Sequence, residues 1–184
     1  MDGTWVDELR LLSKSVRGPL IATLATVEST KGGPTPDARS VVIRGIGDDG
    51  VLMFTSDSRS KKDQQLAANS VVAVVIWLPD SRTQFRIGGP ARLAAADSPE
   101  RAGAWRNLSD SARATFFWPH AGLPRGADDA FAKAVAADVA APESFRVWRV
   151  TPEVVEDLDL RPHPHLRRQW TRAGTAWIPT VVNP

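Results

Sequence analysis

Between Arg39 and Gln84 the chain reads RSVVIRGIGDDGVLMFTSDSRSKKDQQLAANSVVAVVIWLPDSRTQ. This succession of short elements constrains the fold more than any other part. Ala38–Ile46 and Val51–Thr55 are strand-length runs joined by Gly47-Asp48-Asp49-Gly50, a hairpin turn signal. Ser60–Ala68 has helical spacing, with Ser60 as N-cap and Asp63 three residues later in the capping-box position. Val71–Leu78 (VVAVVIWL) is apolar without alternation, which predicts a strand buried on both faces. Pro79-Asp80-Ser81 then turns the chain. Arg82–Ala95 returns as a longer strand, with a bulge or bend expected at Gly88-Gly89-Pro90.

The flanks extend the pattern. Asp2–Val16 places Leu9, Leu12 and Val16 on one helical face and ends at Gly18-Pro19. Leu20–Val27 reads as a strand and Glu28–Pro36 as a loop. Ser98-Pro99-Glu100 opens a helix reaching about Leu108, with Pro at the first helical position. Further helices are expected over Ser109–Phe116 and the alanine-rich Asp128–Ala140, separated by a loop from Trp118 to Gly126. Phe145–Leu160, Arg167–Arg172 and Ala176–Val182 read as closing strands. Six or seven strands joined by short turns, with helices in the second half, predict a mainly β barrel with α insertions. The expectation is one domain over 1–184, with an N-terminal helix within 1–17 and a helical insertion over 98–140.

Composition narrows the chemistry. The chain has 184 residues, no cysteine and no tyrosine, and a net charge of +2. Thiolate chemistry and disulfides are excluded. With so few groups titrating between histidine and lysine, a small positive excess persists to high pH and yields a pI near 9.4. That value is no nucleic-acid footprint, and the 21 acidic residues argue against such a partner. The first sixteen residues read as an amphipathic helix, not a signal peptide. No apolar run approaches the ~20 residues that span a bilayer. A cytoplasmic location is expected, with no membrane partner.

Several polar groups converge on one kind of ligand. A helix N-terminus offers free N–H groups to an anion, and here Ser60 adds a hydroxyl and Lys61 a full charge, with Arg59 just before. Arg39 and Arg44 flank the preceding strand and have the geometry to grip phosphate through two hydrogen bonds. Five positions apart, they point to opposite faces of a regular strand, so either a bulge intervenes or only one faces the ligand. Gln84 and Arg86 share one face of their strand, and an amide that donates and accepts suits the edge of a heteroaromatic ring. A ring with a phosphate tail fits this set. The ordinary alternatives are a solvated basic turn and a solvent-facing strand side. His163 and His165 share a face of an extended segment, but without a third histidine or a cysteine no metal site is expected. Trp105, Trp118 and Trp170 are candidates to stack on a ring.

In this order and spacing, the segment resembles the FMN-binding split-barrel family typified by pyridoxamine 5'-phosphate oxidase. Arg39-Ser40-Val41-Val42-Ile43-Arg44 is similar to its Arg-x-Val-hydrophobic-hydrophobic-Lys strand, with Arg in the Lys place. Phe54-Thr55 matches its aromatic-Thr pair. Lys61 matches the turn lysine, while Ser60 stands where the family often has Arg. Gln64 also matches, and Gln84 falls in the place of the ring-contacting Gln. The C-terminal HPHLRRQWTRAGTAWIPTVVNP resembles the family's last motif, placing His165 and Arg167 on its His-x-Arg. The resemblance implies a split β-barrel homodimer with FMN at its interface. It implies FMN contacts from Arg39, Ser40, Val41, Val42, Arg44, Phe54, Thr55, Ser60, Lys61, Gln84 and Arg167. Arg167, and with it Gln84, would reach the flavin from the partner subunit. It further implies a flavin-dependent oxidoreductase of a small molecule, with His165 as a substrate-side acid or base.

The family's substrate-phosphate positions depart from this pattern. They fall on Arg92, Ala96 and Glu100, of which Ala96 offers no hydrogen bond and Glu100 repels phosphate. Its terminal tryptophan falls on Asp157, its substrate-contacting Arg on His163, and its mid-chain FMN-touching Gln-Ser on Ser109-Asp110. The substrate is therefore expected to differ. A non-enzymatic flavin carrier or sensor, or a barrel holding deazaflavin or haem, remains open at this point.

Overall fold

A computed structural model describes residues 4–184. Its elements, in order, are α1 (Trp5–Ser13), β1 (Ile21–Thr30), β2 (Gly33–Ile46), β3 (Leu52–Asp57), α2 (Lys61–Ala68), β4 (Val71–Leu78), β5 (Thr83–Leu93), α3 (Pro99–Arg106), α4 (Asp110–Ala114), a 3-10 turn (Thr115–Phe117), β6 (Phe145–Val150), β7 (Val154–Asp159), β8 (Leu166–Ala173) and β9 (Ala176–Val182). The start of the predicted first helix, at residues 2 and 3, lies outside the described residues.

Every strand pairing is antiparallel. The order β4-β1-β2-β3-β6-β5 closes on itself through the β4–β5 pairing, giving a six-stranded barrel, and β7-β8-β9 continue from β5 as a side sheet. The six strands of the barrel agree with the six- to seven-stranded split barrel expected; β7–β9 lie beyond it, and the single run expected over Phe145–Leu160 divides into β6, in the barrel, and β7, in the side sheet. The barrel splits at the predicted bend. Thr83–Gly88 of β5 pairs with β7, whereas Ala91–Leu93 pairs with β6. Gly89 sits at this crossing, where a Cβ would stand 2.0 Å from the Thr151 carbonyl oxygen, so only glycine fits.

Alternation fills the barrel with Leu24, Leu52, Phe54, Val74, Ile76, Phe85 and Ile87. Trp5, Val6 and Leu9 of α1 pack against the same core, and a capping box of Thr4 and Asp7 starts that helix. A second core of Trp105, Leu108, Phe116, Phe145 and Val147 lies beneath α3 and the 3-10 turn.

Three expectations are corrected. Glu28–Pro36 is not a loop: β1 and β2 stay paired out to Thr30 and Gly33. Its prolines are tolerated because that stretch of β2 pairs only with β1, leaving the other edge free. β4 is not buried on both faces. Val72, Val74, Ile76 and Leu78 point inward, whereas Val71 is 64% and Trp77 45% exposed. Asp128–Ala140 forms no helix. Its carbonyls are taken by tertiary donors instead: Trp118 Nε1 donates to Ala132, Arg113 Nε to Val135 and Trp105 Nε1 to Val139. Tertiary hydrogen bonds here override alanine's helix propensity.

Candidate functional site

The end of β3 and the start of α2 form the floor of a cavity of about 540 Å³, facing the irregular segment from Thr115 to Phe131. Thr55, Ser56, Asp57, Ser60 and Lys62 supply its polar side, and Phe116, Trp118 and Phe131 its aromatic wall. Trp118 and Phe131 meet edge to face at 5.5 Å, and the Arg125 guanidinium lies 4.5 Å from the Phe131 ring centre.

Ser60 has the extended backbone of an N-cap but does not cap α2. Its hydroxyl donates to the Asp57 carbonyl at 2.7 Å. The capping-box expectation for Asp63 also fails, since this buried carboxylate accepts the Trp148 indole N–H at 2.6 Å. The first turn of α2 therefore has no side-chain cap, and it opens beside the cavity.

The basic residues divide. Arg59 is bound to Asp57 through both carboxylate oxygens and donates to the carbonyls of Phe116 and Trp118, tying the irregular segment to the floor. Burial pushes the Asp57 carboxyl up, but the side-chain and backbone hydrogen bonds of Arg59 outweigh it and hold it below the ordinary value. Arg39 pairs with Asp37 at 2.8 Å and donates to Thr26 Oγ1 and Gln65 Oε1. Lys61 is paired with Glu28 at 2.8 Å. Arg39 and Lys61 thus sit on one flank of α2, while Thr55 and Ser60 line the cavity on the other.

Arg44 stands apart from Arg39. The β2–β3 register slips between Ile43 and Gly45, so a bulge, one of the two alternatives left open by the spacing, exists at Arg44. It does not unite the two arginines. Arg44 lines a second cavity of about 420 Å³ with Val42, Met53, Glu100, Asn107 and Val147. Glu100 also borders a cleft with Arg92 and Arg149, and accepts from Arg149 at 3.3 Å. Val41 and Phe54 are core side chains, so only their backbones are open to a ligand. Ser40 lies on the outward face of β2.

On the side sheet, Gln84 pairs with Leu158, and Leu158 with Arg167. Gln84 and Arg167 therefore share one sheet face two strands apart, roughly 10 Å by the usual strand spacing. With Arg86, Glu156, Leu158 and Pro184 they border a small cavity of about 100 Å³. Glu156 accepts from Arg167 at 2.8 Å, and this hydrogen bond is the main influence holding the Glu156 carboxyl low.

The remaining candidates separate clearly. His165 is exposed in the turn before β8, with Nδ1 3.1 Å from the Pro162 carbonyl. Neither His163 nor His165 lines any of these cavities. Among the described residues no three His, Cys, Asp or Glu side chains form a metal-binding group. Ser109 caps α4 and Asp110 pairs with Arg113. Trp118 borders the large cavity, whereas Trp105 and Trp170 are buried. Asp157 is buried, accepting from Trp170 Nε1 at 2.5 Å and from Arg168, which also holds Glu8. Lys62 escaped the sequence reading. Two adjacent lysines carry no sign of which faces inward, although helical geometry turns them about 100° apart.

Known proteins place this architecture. Residues 3–95 match the family described as pyridoxamine 5'-phosphate oxidase, FMN-binding domain. A Bradyrhizobium diazoefficiens protein named pyridoxine/pyridoxamine 5'-phosphate oxidase is 29% identical, the match covering 98% of this chain and 86% of that one. Its Thermosynechococcus vestitus namesake is 31% identical over 86% of this chain and 76% of its own. Among solved structures, a pyridoxamine 5'-phosphate oxidase-related, FMN binding protein from Nostoc punctiforme superposes with a TM-score of 0.86 at 27% identity, both chains covered in full. PhzG from Burkholderia lata, solved with tetrahydrophenazine-1-carboxylic acid, shares the fold with a TM-score of 0.77 at 20% identity, over 97% of this chain and 90% of its own. No helix of the described residues is long and apolar enough to cross a membrane. By its matched segment, its relatives and its split barrel, the chain belongs to the pyridoxamine 5'-phosphate oxidase FMN-binding domain family.

Proposed function

We propose that the protein binds FMN and acts as a flavin-dependent oxidoreductase on a small molecule. The observation that carries this reading is the hydroxyl- and cation-lined cavity beside the uncapped start of α2. Such a helix start, with its free N–H groups, favours a phosphate. Ser60 and Thr55 would bind the phosphate tail inside the cavity. Arg39 and Lys61 would close on it from the other flank of α2, exchanging Asp37 and Glu28 for the ligand. Gln84 and Arg167 would meet the ring edge, an amide and a guanidinium matching its alternating acceptors and donors. When bound, the flavin supplies the hydride or electron chemistry, and the protein supplies position and electrostatics.

The Gln84–Arg167 groove and the α2 cavity share no lining residue. That separation suits a site assembled from two copies, each giving one half. A homodimer is further supported by the outer face of β1 and β4, where Ile21, Val71 and Trp77 are exposed. An exposed apolar sheet face of this kind favours association. The substrate would lie by Arg44 and Glu100, and Glu100 disfavours a phosphorylated one. Titrating flavin-free protein with FMN while following its fluorescence tests the reading. Saturable binding at one FMN per chain, with a dimer by light scattering, is expected; no saturable binding would refute it.

A further inference from the structure

Four basic side chains surround the start of α2, and three hold carboxylates: Arg39 with Asp37, Arg59 with Asp57 and Lys61 with Glu28. Lys62 holds none. Its Nζ reaches Ser60 Oγ at 3.2 Å, and no carboxylate of the described residues lies within ion-pair distance of it. The nearest acids are engaged elsewhere, Asp57 by Arg59 and Asp63 by the Trp148 indole. Lys62 lines the large cavity, as does Asp57, whose charge Arg59 neutralises. Burial lowers the Lys62 pKa, outweighing the attraction of Asp57 and Asp63.

A second polar group in the same wall is equally short of a partner. Ser56 is 2% exposed, and its hydroxyl makes two contacts, to the Asp57 carbonyl and to Ser60 Oγ, both at 3.4 Å. Hydroxyl hydrogen bonds cluster near 2.7–2.8 Å, so these are marginal. A buried hydroxyl and an unpaired, desolvated ammonium on one cavity wall are costly without a ligand. An anion with several acceptor oxygens would satisfy both. Ser60 lies between them, its hydroxyl within reach of both Ser56 Oγ and Lys62 Nζ.

We propose that Lys62, the cation of this wall without a carboxylate partner, holds the flavin nucleotide's phosphate monoester in this cavity with the Ser56 and Ser60 hydroxyls. The assignment rests on the FMN reading above. It predicts that Lys62 distinguishes FMN from riboflavin, which has the same ring and no phosphate.

The test is fluorescence titration of flavin-free wild type, K62M, K62R and K61M with FMN and with riboflavin, with circular dichroism to confirm folding. K62M is expected to weaken FMN binding about 10- to 100-fold, the range for a lost charge-assisted contact, and to leave riboflavin binding unchanged. K62R should retain most of the FMN affinity. K62Q repeats the test should Met disturb packing. Equal FMN affinity in K62M and wild type, with wild type still preferring FMN over riboflavin, would overturn the Lys62 assignment and leave the FMN reading standing. Wild type that takes up neither flavin would overturn both.

Discussion

Replacing Asp157 by Asn removes one charge from the most deeply buried ion pair of the fold. Asp157 is 1% exposed on β7. Its Oδ1 accepts from Trp170 Nε1 at 2.5 Å, and its Oδ2 accepts from Arg168 at 2.7 Å. The amide keeps the shape, but one oxygen becomes an N–H₂ facing donors, leaving buried donors unpaired. Removing one partner of a buried pair costs about 3–5 kcal/mol. Arg168 keeps Glu8 at 2.6 Å and is partly solvated, so the lower end, about 3 kcal/mol, is expected. For a chain of this size that lowers Tm by roughly 6–12 °C. Calorimetry of wild type, D157N, R168M and the double variant measures this directly. The two substitutions should be non-additive by about 1–3 kcal/mol, because they remove the same contacts. A drop below about 2 °C in D157N, or strict additivity, would refute the reasoning. The pair matters to the site because Arg168 anchors β8, the strand that also carries Arg167.

Other consequences follow from the same geometry. Replacing Arg39 or Lys61 by Met should each weaken FMN binding by about 1.5–3 kcal/mol, read by titration. Glu28→Gln should tighten it slightly, because Lys61 no longer has to leave a solvent-screened ion pair to reach the ligand. G89A should lower the urea midpoint by an amount equivalent to about 3 kcal/mol, since the new Cβ meets the Thr151 carbonyl and the barrel cannot split without moving. The pKa values of Asp57, Glu156 and Asp159 are depressed in the folded state, so the native chain binds fewer protons than the unfolded one. Their contribution is present above the unfolded carboxylate range and is lost as pH falls below it, measurable as declining Tm under pH 4.5 to 3.8 and lower. Lys62 has the opposite sense. Its lowered pKa makes its charge unfavourable to the flavin-free fold, so stability should rise as pH climbs from that lowered value toward 10.5, while FMN affinity falls over the same range. K62M should abolish both trends.

Much of the barrel was written in local pattern. The Gly47–Gly50 turn, the return through Phe54, the bend at Gly88-Gly89-Pro90 and the alternation of Gln84 with Phe85 all express themselves within a few residues. What escaped depended on distant partners. Asp128–Ala140 has the composition of a helix, but three side chains from α3, α4 and the loop at Trp118 claim its carbonyls. β4 has the composition of a doubly buried strand, yet its outer face is left open in the single chain. Asp157 in a strand gives no sign of its indole and guanidinium partners on β8. At the candidate site the sequence singled out the turn that borders the cavity, and side-chain pairing decided which of its residues face it. Lys61 found Glu28 across the β1 hairpin, whereas Lys62 turned into the cavity.

The most direct test of the FMN reading is the visible absorption spectrum of the purified protein, followed by acid release and chromatography of the chromophore. The account predicts a two-band yellow spectrum and released FMN, one per chain at saturation. A Soret band, a released deazaflavin, or a colourless protein that fails to take up added FMN would contradict it.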